Sequence, residues 1–464
     1  MPPQPPPQNK QRIGGELPLV EQRIRDMQSA QAAREEGTPQ QIVMAQVREK
    51  LRETLTPAQL ERPSGADKAA ALQMIRDEIG RFNRHAESYG RPVLEGDLES
   101  IAQQMLYSIL GLGPLEPLLE DESIEDIYIN GPREVIVTGD GGVQVRQVDF
   151  GTSEELMEIL NRALAPSGRR LDFQSPTVDA QLSDGSRLHA VIKPIAQPWP
   201  LVTIRRHRLV ASTMEDLIRL ETITPLAARF MEAAVRSYAS ILVCGATASG
   251  KTNTINCFSS YFDEMEAKLV IEDTRELHLR GYNVRYLVTR PPSVEGTGAI
   301  NQAHLVKQAL RMRPRRIIFG EVRDAEAWDM CNAGNTGHDG MIAGVHANNP
   351  RDGIDRVATL ARRGVENVPE EVILREVVRA IMLVVHQEFD HATGKRHIKQ
   401  IAEVTGNVEG LNAVIQPIFD WQNGALQWTG NRPYPRLAER LKNHGYDYDV
   451  IFAGEEPQGG RGLW

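Results

Sequence analysis

ILVCGATASGKT, residues 241–252, is the stretch on which the reading of this chain turns. Ile241 to Cys244 make a short apolar run suited to a buried strand, GATASGKT fits the pattern GxxxxGK[ST], and TINCFSSYF continues as a helix. The spacing has a physical reason. Gly245 and Gly250 let the backbone wrap, so that the N–H groups of the loop through Ala246, Thr247, Ala248 and Ser249 can face a phosphate. Lys251 brings a mobile positive charge to the β- and γ-phosphates, and Thr252 offers a hydroxyl to Mg²⁺. The helix starts at that point, and its positive dipole end reinforces the anion site. Strand, loop and helix together imply an α/β nucleotide-binding fold.

Binding is not turnover. Hydrolysis of a bound nucleotide also needs a carboxylate near the metal and a group that orients water. KLVIEDTREL (268–277) is an apolar strand ending in Glu272 and Asp273 with Glu276 just beyond, and RIIFGEVRD (316–324) is a second ending in Glu321. In a parallel sheet such ends gather at the carboxyl edge beside the phosphate loop. Either Glu272 or Glu276 can polarise the water, while Glu321 is long enough to support Mg²⁺ through a water. GNTGHDGMIAGVHANNP (334–350) sets His338 and His346 around a third apolar stretch, where a histidine can sense the γ-phosphate or link one strand to the next. Arg205 and Arg206, upstream of the loop, are candidates to reach the nucleotide and neutralise transition-state charge.

Working outward, residues 1–16 are rich in Pro and Gln and read as a disordered tail. Residues 17–94 read as a helical extension. Within it Thr38, Pro39 and Gln41 stand as cap, first residue and third residue of a helix carrying Val43, Val47, Leu51 and Leu55 on one face. Helices are also expected over about 67–87 and 97–110. Residues 95–209 read as an α+β domain, with strands in IEDIYING, EVIVTG, VQVRQV and LVTIRRHR and a helix over 154–164. A linker is expected over 210–224, the nucleotide-binding domain over 225–402 and a C-terminal appendage over 403–464.

Composition limits the function classes. The chain has 464 residues, 53 basic against 62 acidic side chains and a net charge of −9, which argues against indiscriminate nucleic-acid coating. Cys244, Cys257 and Cys331 are the three cysteines and form no CxxC pair, so a disulfide scaffold or thiolate zinc site is poorly supported. The amino terminus lacks the apolar segment of a signal peptide and no run approaches a membrane span, so a cytoplasmic protein is expected.

Taken in order, GATASGKT, IEDTREL, IIFGEVRD and NTGHDGMIAGVHANNP resemble the Walker A, Asp box, Walker B and His box of the type II/type IV secretion ATPase superfamily. GLGPLEPLLEDESIEDIYINGP, SPTVDAQLSDGSRLHAVI, LVTIRR, TRPPSVEGTGAI, RMRPRRIIFGEVR and IAEVTG look like the CpaF-type ATPases of Tad (Flp) pilus assembly, a likeness covering about residues 95–420. The resemblance implies a RecA-like ATPase domain behind an α+β N-terminal domain that clamps nucleotide. It further implies a homohexameric ring, ATP with Mg²⁺, and a hydrolytic motor for a pilus or secretion machine that meets an inner-membrane platform protein. It carries phosphate binding to Gly250, Lys251 and Thr252, water activation to Glu272 and Glu276, metal support to Glu321, signal relay to His338 and His346, and arginine fingers to Arg187, Arg205 and Arg206. Gly344 and Val345 stand where the family usually has Thr-Leu, and the four-cysteine insertion of type II secretion ATPases is absent. The competing classes are a nucleic-acid translocase, which needs a basic, aromatic-lined channel, and a nucleotide-gated scaffold with weak hydrolysis.

Overall fold

The structure, a computed structural model, describes residues 38–56, 59–60, 63–139, 141–206, 211–292 and 297–453. The tail at 1–16 and the helical reading over 17–37 lie outside the described residues. The chain divides into two compact units, Met1–Arg206 and His207–Trp464.

In the first unit, local hydrogen-bonding chemistry sets where the helices begin. Thr38 Oγ1 accepts the Gln41 amide at 3.3 Å and Gln41 Oε1 accepts the Thr38 amide at 2.8 Å, opening α1 (Pro39–Thr54) at the expected cap. Ser64 and Asp67 do the same for α2 (Gly65–Ser88), and Asp97 caps α3 (Leu98–Leu110). Val43, Val47 and Leu51 bury against Ile75, Ile79, Met105 and Leu106 to form one small core. After α4 (Glu116–Glu120) come β1 (Ile124–Asn130), β2 (Val135–Gly139), β3 (Gly142–Arg146), α5 (Ser153–Leu164), β4 (Thr177–Gln181), β5 (Arg187–Val191) and β6 (Leu201–Arg205). These strands make an antiparallel sheet in the order β3-β2-β1-β6-β5-β4, with α5 on its apolar face through Leu156, Leu160 and Leu164. Strands β4 and β5 are additions to the sequence reading. Their exposed and buried residues alternate as TVDAQ and RLHAV, runs too short and polar to stand out alone.

The second unit holds α6 (Met214–Arg219), α7 (Pro225–Arg236), β7 (Ile241–Cys244), α8 (Lys251–Phe258), β8 (Lys268–Glu272), β9 (Val284–Val288), α9 (Gln302–Ala309), β10 (Arg316–Phe319), α10 (Glu326–Asn335), β11 (Ile342–Val345), α11 (Pro350–Arg362), α12 (Glu370–Ala380), β12 (Leu383–Asp390), β13 (Lys395–Glu409), β14 (Asn412–Gln422), β15 (Ala425–Trp428), α13 (Pro435–Asn443) and α14 (Tyr448–Ile451). The sheet runs β15-β14-β13-β12-β7-β11-β10-β8-β9. From β12 to β9 every neighbouring pair is parallel, and β13 to β15 add an antiparallel meander. Strands β7, β8, β10 and β11 are buried on both faces, and the edge strand β9 is only partly covered. Ile241 and Val243 join one core with Phe230 and Phe258, whereas Leu242 and Cys244 join the other with Ile354 and Val377. A near-continuous apolar run is what burial on both faces demands, and each such side chain contributes about 1.5–3 kcal/mol.

Two expected boundaries are redrawn. The described part of 210–224 is core rather than linker, because Ala211, Met214, Leu217 and Ile223 bury in the core of the second unit. Residue 403 lies in the middle of β13, so no appendage starts there. Strands β13 to β15 extend the parallel sheet, and Leu437, Leu441 and Phe452 pack on the same core.

Candidate functional site

The site is built at the carboxyl edge of the parallel strands. The loop from Gly245 to Gly250 leaves β7 and turns into α8, with Ala248 at φ 63° and Gly250 at φ 97°. Ala248 adopts the left-handed conformation although it carries a Cβ, a cost of about 1–2 kcal/mol that the surrounding contacts must offset. Glycine is required at both ends of the loop. A Cβ on Gly245 would stand 2.2 Å from the Gln387 carbonyl oxygen, and one on Gly250 would stand 2.9 Å from both Arg396 Cδ and Gln387 Nε2.

Lys251 opens α8 and folds back over the loop. Its Nζ donates to Gly245 O at 3.0 Å and Ala246 O at 2.9 Å, and lies 3.2 Å from His346 Nδ1. With Nδ1 facing that ammonium as acceptor, the imidazole proton sits on Nε2, which is 2.8 Å from Glu321 Oε1. Arg323 Nη2 donates to the other oxygen of Glu321 at 2.7 Å, and its Nη1 lies 3.4 Å from Asp273 Oδ2. One polar chain therefore joins the loop lysine to the ends of β11, β10 and β8. Burial pushes the Glu321 carboxyl up, but the hydrogen bonds from His346 and Arg323 outweigh it and hold the group at about 2. Glu321 is thus a fixed anion at neutral pH, suited to a metal-bound water and unsuited to taking a proton.

The two Asp-box glutamates separate. Glu276 Oε2 accepts from Thr252 Oγ1 at 3.3 Å, facing the hydroxyl that opens α8. Glu272 is 3% exposed and its Oε1 accepts the backbone N–H groups of Glu276 and Leu277, each at 3.1 Å. A catalytic role for Glu272 gives way to a structural one: it holds the turn that presents Glu276.

The two histidines separate as well. His346 follows the last residue of β11, at the carboxyl edge; His338 precedes β11 and so lies at the amino edge, across the width of the sheet. The structure does not bring His338 to the loop of its own chain, because a strand holds its two ends apart. Gly344 has its own reason: a Cβ there would stand 2.4 Å from Gly320 O, so the β10–β11 contact at the site admits no threonine.

The two arginines belong to the first unit. Arg205, at the end of β6, lies 4.0 Å from Asp126 and its side chain is 43% exposed. Arg206 donates to the carbonyls of Asp121 and Ile124, which ties its guanidinium to its own unit and departs from the expected finger.

Three contributors escaped the sequence reading. Gln302, 4% exposed, donates to Asp273 Oδ1 at 3.0 Å and Glu321 O at 3.1 Å, bracing β8 against β10. Gln387, at 1% exposure, accepts from Thr254 Oγ1 at 2.6 Å and lies under both loop glycines. Arg396 donates from Nε to Ala248 O at 3.0 Å. A polar residue closing the apolar run LVVHQ was a usable signal for Gln387; none existed for Arg396, which reaches the loop from 148 residues away.

These residues suit a nucleoside triphosphate and Mg²⁺. The left-handed turns at Ala248 and Gly250 form a backbone cradle of the kind that takes phosphate, while Thr252, Glu276 and Glu321 are oxygen donors of the hardness Mg²⁺ prefers.

Residues 109–408 match the sequence profile of the family described as "Type II/IV secretion system protein". A Mycobacterium tuberculosis protein named "Putative conjugal transfer protein" is 34% identical over 334 residues, which cover 70% of this chain and 93% of that protein. The type IV secretion system protein VirB11 of Brucella suis is 27% identical over 318 residues, covering 62% of this chain and 88% of its own. The crystal structure of the Brucella suis VirB11 ATPase in complex with sulphate aligns with a TM-score of 0.35 at 27% identity, covering 62% of this chain and 92% of that one.

Proposed function

The chain belongs to the type II/IV secretion system protein family, and from that premise we propose that it is an ATP-hydrolysing motor subunit of a pilus-assembly or secretion machine. One observation carries the reading. The loop lysine is linked through His346 to Glu321, so phosphate loop and metal-side carboxylate form one hydrogen-bonded unit.

In hydrolysis, water adds to the γ-phosphorus, the bond to the β-bridging oxygen breaks, and ADP and inorganic phosphate leave. The loop amides and Lys251 hold the phosphates and offset their charge. Thr252 and, through water, Glu321 would hold Mg²⁺, which when bound neutralises charge on the β- and γ-oxygens. The place of Glu276 beside Thr252 supports it as the group that orients water and takes its proton. Glu272 positions it. His346, between Lys251 and Glu321, can report the charge at the loop to β10 and β11. Arg205, half exposed on the first unit, is the better finger candidate of the pair, since Arg206 is tied to two carbonyls.

The finer reading rests on the sequence resemblance: a homohexameric, cytoplasmic Tad/Flp-type pilus ATPase that meets the inner membrane through a platform protein. Among the described residues no helix is long and apolar enough to cross a membrane. Phosphate release by wild type, with Lys251→Ala as control, tests the motor. Turnover no greater than that control, with or without the membrane partner, would sink it, and a native mass showing only monomer with ATP would remove the ring.

A further inference from the structure

Four consecutive residues of β13 face two ways. Arg396 donates from Nε to the carbonyl of Ala248 in the phosphate loop at 3.0 Å, and its Cδ lies against Gly250. Its neighbours on either side hold a different segment. Lys395 is ion-paired with Glu221, His397 Nδ1 lies 3.1 Å from Glu221 O, and Ile398 N donates to Thr222 O at 2.9 Å. This division follows from the strand, whose successive side chains point to opposite sides.

Both anchorage points are backbone positions under tension. Ala248 stands at φ 63° and Glu221 at φ 58°, the left-handed region that residues with a Cβ rarely adopt. Glu221 also closes the turn after α6, the first helix described beyond the boundary between the two units. The strand is braced by β12, where Phe389 pairs with Arg396 and lies under its guanidinium at 5.0 Å, and by β14, where Trp421 packs against His397 with ring centres 4.6 Å apart. Residues 395–398 are only the first four positions of the 15-residue β13, and with braces on both faces they form a stiff segment, so displacement at one anchorage is passed to the other rather than absorbed.

We propose that residues 395–398 are a strut that couples the phosphate loop to the Glu221–Thr222 turn, with Arg396 as the positioning residue that senses whether the loop holds an anion. A guanidinium fixed to a loop carbonyl is drawn by negative charge at that loop. The inference rests on the nucleotide-binding reading and assigns to that site its route to the turn that follows α6.

The test is amide exchange across residues 220–223 and at Ile398, with and without ADP, in the full chain. ADP should slow exchange there about fivefold in wild type, within the usual range for coupled sites. At ADP concentrations that saturate each variant, Arg396→Gln should lose that response, and Arg396→Lys should recover part of it. Glu221→Gly is the second variant. Glycine takes φ 58° without strain and cannot pair with Lys395, so folding and ADP affinity should hold while the response shrinks. An equal response in wild type and Arg396→Gln, or none in wild type with ADP bound, overturns the strut. Failure of wild type to bind ADP more tightly than Lys251→Ala fails the nucleotide reading itself, and the strut with it.

Discussion

Two glutamates, one at each edge of the parallel sheet, take opposite characters. Glu321 at the carboxyl edge is held at about 2 because His346 and Arg323 both donate to it. Glu403 on β13, paired with the first residue of β12 at the amino edge, is pushed up to about 7 by burial. Neutral donors, the Tyr434 amide and the Gln416 side chain, do not offset that burial, nor does Arg436. The same amino edge holds Arg316, which is 1% exposed, donates to Glu266, Gly340 O and Val235 O and lies between the rings of Tyr238 and Phe262. The contrast teaches how to tell a working charge from a structural one. At the amino edge the charges are enclosed and tied to main chain; at the carboxyl edge they form an open chain, with His346 at 42% and Arg323 at 48% side-chain exposure.

If that contrast is right, substitutions at the two edges should fail differently. Lys251→Ala should cost about a thousandfold in turnover while shifting the melting temperature by only a few degrees. Arg316→Met should do the reverse: it leaves Glu266 buried without its cationic partner, at a cost of about 3–5 kcal/mol in denaturant melts, with activity per folded molecule retained. Equal loss of activity per folded molecule in both variants would break the comparison.

Next in size, Glu276→Gln should lower kcat by about a hundredfold with normal stability, whereas Glu272→Ala should lower stability by about 1–3 kcal/mol as two buried amides lose their acceptor. Steady-state kinetics beside thermal melts separates them.

The glutamates also sharpen the contrast through pH. Glu403 binds its proton more tightly folded than unfolded, so its contribution is present below the ordinary 4.5 and lost as pH rises through about 7, on the order of 3 kcal/mol. Glu403→Gln should flatten the stability curve between pH 5 and 8 in melts. Glu321 works the other way: its contribution is full above 4.5 and fades as pH falls toward 2. The smallest effect is expected in the first unit, where Thr38→Ala removes one cap and about 1 kcal/mol from α1, read by urea titration.

Much of this was legible in the chain. GATASGKT announced the loop, apolar runs ending in Glu272 and Glu321 announced two strands, and Thr38, Pro39 and Gln41 announced a helix start. Each rests on contacts within a few residues. The boundary at 403 was misplaced because Glu403 is an ionisable residue inside a strand, where distant Tyr434 and Gln416 donate to it and burial favours its protonated form.

By itself, then, the sequence determined the phosphate loop, the strands that carry the carboxylates and the helix caps, because backbone geometry and hydrogen bonds between near neighbours decide these. Only the tertiary structure decided that Glu276 rather than Glu272 faces Thr252, that His346 and not His338 reaches Lys251, and that Arg396 holds the loop. Those choices depend on which end of a strand a residue occupies and which distant strand lies beside it, and sheet order is set by burial on two faces rather than by any local pattern.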